Sequence, residues 1–221
     1  MRRELVDAQR SNLGNWVSGQ LGYPLYVMQL ILASKSRRRA EILKSCGIKY
    51  KVFVTNAKEI SHNRMHSAKL VVENAKRKAL SAAAHFKSAV ILGVDTIVLF
   101  KRKNIGKPKD KTHARMMLKA FSGQKIAVYS GIYLIDTASD KKAAGVDKTV
   151  IRVKPISSSD IARFFLRLGP YDRAGGFSIE GAGSIIFDDI NGSYFNVLGL
   201  PMGKLAELFK KIGLDILDYM R

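Results

Sequence analysis

Apolar residues fall along this chain in short blocks. Their spacing switches between the two-residue repeat of strands and the three-to-four-residue repeat of helices. Positions 29–33 predict a short strand that runs into the polar turn Ser34-Lys35-Ser36. A helix follows through Ala40, Ile42, Leu43 and Cys46 and stops at Gly47. Positions 50–55 alternate like a strand, and 56–66 is polar and loop-like. Residues 68–86 place Leu70, Val71, Ala75, Ala79 and Ala83 at helical spacing. The apolar run 89–100 predicts a strand running into a turn, and 111–121 a helix closed by Ser122-Gly123. Strands are expected over 126–135 and 149–153. Ser157 with Asp160 reads as a helix start, that helix ending near Gly169-Pro170. A strand over 184–190 and a helix over 202–212 come last. Strands alternating with helices predict an α/β fold.

Ahead of residue 28 the pattern fades. Gly14, Gly19, Gly22 and Pro24 are scattered through a stretch without periodicity, and the first strand-like segment is expected only at Gln29. Residues 1–27 are therefore read as a non-catalytic N-terminal extension and 28–221 as the domain, with Met28 itself a candidate translation start. Glu4, Asp7, Gln9 and Arg10 interrupt any apolar core of a signal peptide. The run 89–100 is broken by Asp95 and too short to span a membrane. A cytoplasmic location is expected on these grounds. The 47% hydrophobic and 25% charged composition of the 221 residues is that of a globular protein. One cysteine, Cys46, excludes an intramolecular disulfide and a cysteine zinc cluster; its helical setting predicts a buried thiol. The charge changes the picture more. Lys and Arg total 38 against 18 acidic residues, a formal +20, which attracts polyanions: nucleic acid, nucleotides or anionic membrane surfaces.

Three segments carry candidate chemistry. Ser34, Ser36, Arg37, Arg38 and Arg39 stand where a strand hands over to a helix. Helix N-terminal N–H groups favour an anion, hydroxyls add donors, and arginine adds bidentate phosphate contacts. Three arginines there oppose the helix dipole, a penalty that an anionic ligand removes. Asp95 interrupts an apolar strand, which is costly unless the carboxylate is paired, metal-bound or lining a cleft. Lys78 lies on the preceding helix and Lys107 in the turn Gly106-Lys107-Pro108. One carboxylate among several cations suits hydrolysis of a magnesium-bound polyphosphate: the carboxylate holds metal or activates water, and the cations offset developing charge. The third segment, Tyr171-Asp172-Arg173-Ala174-Gly175-Gly176-Phe177-Ser178-Ile179-Glu180-Gly181, has glycines that permit close approach to a planar base. His62, His66, His85 and His113 form no metal-ligand spacing.

Together these segments resemble the Maf family of nucleoside triphosphate pyrophosphatases. The resemblance rests on Leu32-Ala33-Ser34-Lys35-Ser36-Arg37-Arg38-Arg39, Gly93-Val94-Asp95-Thr96, Gly106-Lys107-Pro108, Met117-Leu118 with Ser122-Gly123, Asp172-Arg173-Ala174-Gly175, and Asn191-Gly192-Ser193-Tyr194 ahead of Val197-Leu198-Gly199-Leu200-Pro201. It covers about residue 29 onward. It implies an α/β fold with a central mixed sheet flanked by helices and a cleft between two lobes. It also implies a divalent cation, Mg2+ or Mn2+, often a homodimer, and house-cleaning of non-standard or surplus nucleotides. By position, the resemblance assigns Ser34, Arg38 and Arg39 to phosphate binding, Lys78 and Lys107 to the active site, and Asp95 to catalysis. Thr96 and Glu180 match positions linked to base choice. Three departures stand out. Arg37 replaces the proline usual before the arginine pair. Lys58 and Glu59 stand where two acidic residues are common, leaving Glu59 as a metal candidate beside Asp95. The histidine common after the Ser-Gly turn is absent from Gln124-Lys125-Ile126-Ala127.

The base-reading positions give a mixed signal. Arg38 and Thr96 follow the branch acting on dTTP and UTP, whereas Glu180 follows the branch acting on 7-methyl-GTP. An ionised glutamate only accepts hydrogen bonds and would suit the paired N–H donors of guanine. Guanine-type triphosphates are therefore expected to be hydrolysed at least comparably to UTP and dTTP, unless Glu180 points away, paired for example with Arg173. Two competing readings use the +20 charge: a nucleic-acid-binding protein on a decayed enzyme scaffold, or an enzyme tethered to anionic polymers or membranes. Retention of Asp95, Lys78 and Lys107 argues against decay, because RNA binding requires no such carboxylate.

Overall fold

The computed structural model describes residues 16–18, 24–60, 65–165, 174–176 and 178–220. Two short strands, β1 (Trp16–Ser18) and β2 (Pro24–Tyr26), pair antiparallel, so strand structure begins earlier than the sequence pattern predicts. Three-residue strands offer too few positions for an alternation to be visible. β3 (Gln29–Ala33), α1 (Arg37–Ser45), β4 (Lys51–Val52), α2 (Ser67–Ala83) and β5 (Ala89–Phe100) follow. Then come β6 (Lys103–Ile105), α3 (Lys111–Phe121), β7 (Lys125–Asp136) and β8 (Lys142–Val153). The last elements are α4 (Ser158–Phe165), β9 (Phe187–Asn191), α5 (Tyr194–Leu198) and α6 (Met202–Lys211). The main sheet has seven strands in the order β4-β3-β5-β7-β8-β9, with β6 also against β5. β3 runs parallel to β4 and β5, and the remaining pairs are antiparallel. The fold is the α/β class with the mixed sheet expected.

The long strand β5 positions the site. One of its edges is covered by β7 from Val90 to Leu99. The other is covered by β3 only as far as Gly93, and by β6 from Val98 onward. Between them, residues 94–97 face no strand among the described residues, and side chains from α1 and α2 enter that gap. It lies outside the carboxyl end of β3, where open α/β sheets bind ligands.

Each face of the sheet has its own packing. Ile31, Ala33, Ile91, Ala79 and Ala82 join on the α2 side, with Leu70, Val71 and Ile97 beside them. Leu30, Leu32, Val90, Leu92 and Val94 pack with Leu205, Leu208 and Phe209 of α6. A further cluster gathers Val98, Val128 and Ile151 with Leu118 and Phe121 of α3. α2 sits unusually close to the sheet because two glycines lie beneath it. A Cβ at Gly93 would be 2.1 Å from the Ala75 carbonyl oxygen, and one at Gly131 would be 2.4 Å from the Val71 backbone. Gly131 is the cross-strand partner of Asp95.

Several expected boundaries move. Over 50–55 only Lys51–Val52 is a strand paired with β3; the Phe53 amide still donates to the Leu32 carbonyl at 3.0 Å, and its ring packs against His85 and Phe86 just past the end of α2. Lys101 and Arg102 adopt positive φ (45° and 65°), which turns β5 tightly into β6, a strand the sequence pattern does not predict. β8 begins seven residues before the expected 149. The expected strand over 184–190 is a 3-10 turn, Gly181–Ile186, followed by β9. The helix α5 was not expected; five residues are too few to show a helical repeat. Cys46 is half-buried at the end of α1 against the α6 cluster, rather than buried as expected. The helix end near 169–170 lies outside the described residues. No described helix is long and apolar enough to cross a membrane.

Gly93→Ala should lower stability by about 1–3 kcal/mol or more, because the added methyl meets backbone that cannot rotate away. Calorimetry should show a fall in Tm of roughly 2–4 °C per kcal/mol. An unchanged Tm would contradict the close seating of α2.

Candidate active site

The turn after β3 is built inward. Ser34 is buried, and its Oγ accepts from the Ser36 amide at 3.2 Å and from Arg39 Nη1 at 2.9 Å. Successive residues of a helix point about 100° apart, so the neighbouring arginines Arg38 and Arg39 part company. Arg39 is 8% exposed and turns into the gap beside β5. Its Nε donates to the Gly199 carbonyl (2.9 Å), Nη1 also to the Val94 carbonyl (3.1 Å), and Nη2 to Thr96 Oγ1 (2.9 Å). Burial pushes its pKa down, opposed by the charges of Asp95 and Glu59. With these donors engaged, Arg39 joins the turn, the open edge of β5 and the end of α5.

Asp95 is 8% exposed and met from α2. Lys78 Nζ donates to its Oδ1 at 2.8 Å, and Asn74 Nδ2 to its Oδ2 at 3.1 Å. Lys78 also donates to the Val94 carbonyl (3.3 Å) and pairs with Glu59 Oε1 at 2.7 Å. Both candidate metal carboxylates thus meet on one ammonium. Thr96 projects from the other face of β5 and shares a 2.9 Å hydrogen bond with Ser130 Oγ.

A pocket of about 1070 Å³ opens over these groups. Ser34, Arg38, Arg39, Glu59, Lys78, Asp95, Thr96 and Lys107 all line it. Gly175, at φ 78°, donates its amide to the Gly106 carbonyl at 3.0 Å, which ties the glycine-rich segment to the turn bearing Lys107. Asp172, Arg173 and Phe177 of that segment lie outside the described residues. Glu180 is not among the lining residues. Its carboxylate forms an ion pair with Arg38, whose other branch lies 3.5 Å from Glu41. Tyr194 stands close enough to feel both: burial raises its pKa, as does the charge of Glu180, while Arg38 lowers it.

The family described as Maf-like protein matches residues 29–212. The chain belongs to the Maf-like family. It is similar to the dTTP/UTP pyrophosphatase of Clostridium novyi (strain NT), at 39% identity over 192 residues covering 86% of this chain and 100% of that protein. The dTTP/UTP pyrophosphatase of Thermoanaerobacter sp. (strain X514) is 37% identical over 185 residues, 83% of this chain and 96% of that one. That of Methanosarcina barkeri (strain Fusaro / DSM 804) is 35% identical over 191 residues, 86% and 97%.

The geometry gives physical reasons for parts of this Maf-like sequence that carried none by themselves. Gly199 ends α5 at φ 101°, which presents its carbonyl to Arg39. Ser193 caps α5 by accepting from the Asn196 amide at 3.2 Å. Asn196, fully buried, ties α5 to the Val128 carbonyl and Thr149 Oγ1. Asn74 is the residue that sequence reasoning missed. A signal existed: it falls one helical turn before Lys78, on the same face as the apolar Leu70, Val71 and Ala75. Among the histidines, His66 accepts at the start of α2, His85 packs on Phe53 and His113 accepts from Lys109; His62 lies outside the described residues. No described group of three His, Cys, Asp or Glu could hold a metal by itself.

The two arginines should separate experimentally. Arg39→Lys strands buried acceptors and should lower stability of this Maf-like protein by about 2 kcal/mol or more, whereas Arg38→Lys should change it by less than about 0.5 kcal/mol. Chemical denaturation of the two variants measures this; equal losses would refute the division of roles.

Proposed function

We propose that this Maf-like protein hydrolyses nucleoside triphosphates between the α- and β-phosphates, releasing pyrophosphate and a monophosphate. In the cell it would act in the cytoplasm, removing non-standard or surplus nucleotides. One observation carries the reading: a carboxylate, Asp95, is buried in a strand and gripped through both oxygens, in the same pocket as a cationic strand-to-helix turn. The names of the relatives point to the same reaction. Ser34 and the turn N–H groups receive the phosphate tail, with Arg38 and Lys107 supplying charge from the pocket wall. Asp95 accepts the proton of the attacking water, and Lys78 and Lys107 offset the charge that develops on the leaving pyrophosphate.

A divalent cation fits these residues. Asp95 and Glu59 both reach Lys78 Nζ, so the two carboxylates converge. One or two carboxylates plus substrate phosphates are the donor set Mg2+ prefers, and Mn2+ suits it as well. When bound, the cation would polarise the phosphates and neutralise their charge. Two lobes with a cleft between them, which the family resemblance implies, belong to the same proposal. Residues 1–27 are an extension outside the catalytic domain, and a homodimer accords with the family.

The Arg38–Glu180 ion pair bears on base choice. A glutamate whose charge is met by Arg38 is poorly placed to accept from guanine as well, which favours the alternative in which Glu180 is turned to another arginine and the pocket takes pyrimidines. UTP and dTTP should therefore exceed GTP and 7-methyl-GTP in kcat/KM, and Glu180→Gln should alter these ratios by less than about threefold. A shift toward pyrimidines of about 1–3 kcal/mol in that variant, the scale of one base-edge pairing, would show that Glu180 reads the base.

The reaction is tested with Asp95→Asn, which keeps shape and removes basicity. Turnover of magnesium-UTP should fall by about 10²-fold or more in a folded protein. Near-normal pyrophosphate release from that variant would remove the mechanism.

A further inference from the structure

We propose that Asn74 is a positioning residue that couples the carboxylate of Asp95 to the loop carrying Glu59, an inference that rests on the hydrolase reading above. Asn74 lies in the middle of α2 and is fully buried. Asparagine is a poor helix former there, and a buried amide is costly unless its groups are bonded. The neighbouring inward positions, Leu70, Val71, Ala75 and Ala79, are apolar, so packing alone would be served by an apolar residue.

The partners fix the amide's orientation. The Ile60 N–H can only donate, and it does so to Asn74 Oδ1 at 2.7 Å. Asn74 Nδ2 therefore faces Asp95 Oδ2, at 3.1 Å, as a donor to a carboxylate, with the Ile60 carbonyl a weaker 3.5 Å contact. Lys78, one turn further along α2, holds the other oxygen. Two side chains on one helix thus grip the two oxygens separately, which fixes rotation of the carboxylate about its Cβ–Cγ bond. The same pair holds the loop at adjacent residues, Lys78 through Glu59 and Asn74 through the Ile60 backbone. A shift of the 59–60 loop is in this way transmitted to the plane of Asp95. Asn74 is not among the residues lining the pocket; it acts through Asp95 and the Ile60 backbone beside Glu59.

Two variants separate these functions. Asn74→Asp keeps the acceptor for the Ile60 amide and puts a second carboxyl against Asp95, so that the two repel or share a proton. Asn74→Leu, of similar size, removes both. With magnesium-UTP, both should lose kcat by about tenfold or more, and in the neutral Asn74→Leu KM should stay within about twofold, since orientation and not binding is lost. Combined with Asp95→Asn, Asn74→Leu should cost less than about threefold more, because residues acting as a unit are non-additive. Hydrogen exchange gives a readout independent of turnover: the Ile60 amide should exchange at least about tenfold faster in Asn74→Leu than in wild type or Asn74→Asp. A folded Asn74→Leu with wild-type kcat, or a penalty fully additive with Asp95→Asn, would overturn the coupling to Asp95. Unchanged Ile60 exchange in Asn74→Leu would overturn the clamp on the loop. A wild-type protein that releases no pyrophosphate from any triphosphate would instead refute the hydrolase reading, and the exchange measurement would still decide the clamp.

Discussion

Asp95 places a carboxylate on a strand whose neighbours on the same face are Ile91, Gly93 and Ile97, and which continues beneath a helix. An ionised group there cannot rely on water, so its partners must be supplied by the fold. They come from α2, and α2 can deliver them only because it lies almost on the sheet. Gly93 and Gly131 make that seating possible, and Asn74 and Lys78 exploit it. A side chain at either glycine would lift the helix, lengthen both bonds to Asp95 and leave a buried charge partly unmet.

The opposite wall of the pocket follows from an unfinished strand edge. Where β3 stops, no strand among the described residues meets the Val94 carbonyl on that edge of β5, and Arg39 and Lys78 both donate to it. One peptide unit is therefore held from α1 and from α2 at once, directly beside Asp95. Arg39 adds Gly199 and Thr96 to the same knot. The Ser34 turn and the carboxylate are in this way parts of one hydrogen-bonded network, the preorganisation on which the proposed catalysis would draw.

Much of this was legible in the sequence, unevenly. Asp95 was visible because it breaks an apolar run, and the Ser34 turn because cations gather where a strand meets a helix. The difference between Arg38 and Arg39 was not, because adjacency in sequence conceals a 100° rotation on the helix; only the fold shows that one faces Glu180 and the other the gap beside β5. Asn74 was hidden in an Ala- and Lys-rich helix where a polar residue looks solvent-facing. β4 ends at Val52: the Phe53 amide makes one last bond to the Leu32 carbonyl of β3, while its ring packs on His85 and Phe86 just past the end of α2. The +20 charge suggested polyanions in general. The proposed function narrows that to a ligand whose anionic part would meet the cationic turn lining the pocket.

In the proposed function this pocket breaks the α–β anhydride. Hydrolysis of UTP in 18O-enriched water, followed by phosphorus NMR and mass spectrometry, tests it directly. One pyrophosphate per triphosphate consumed, no orthophosphate, and a single 18O atom incorporated across the UMP and pyrophosphate formed are expected. Release of orthophosphate with UDP as the co-product would contradict it.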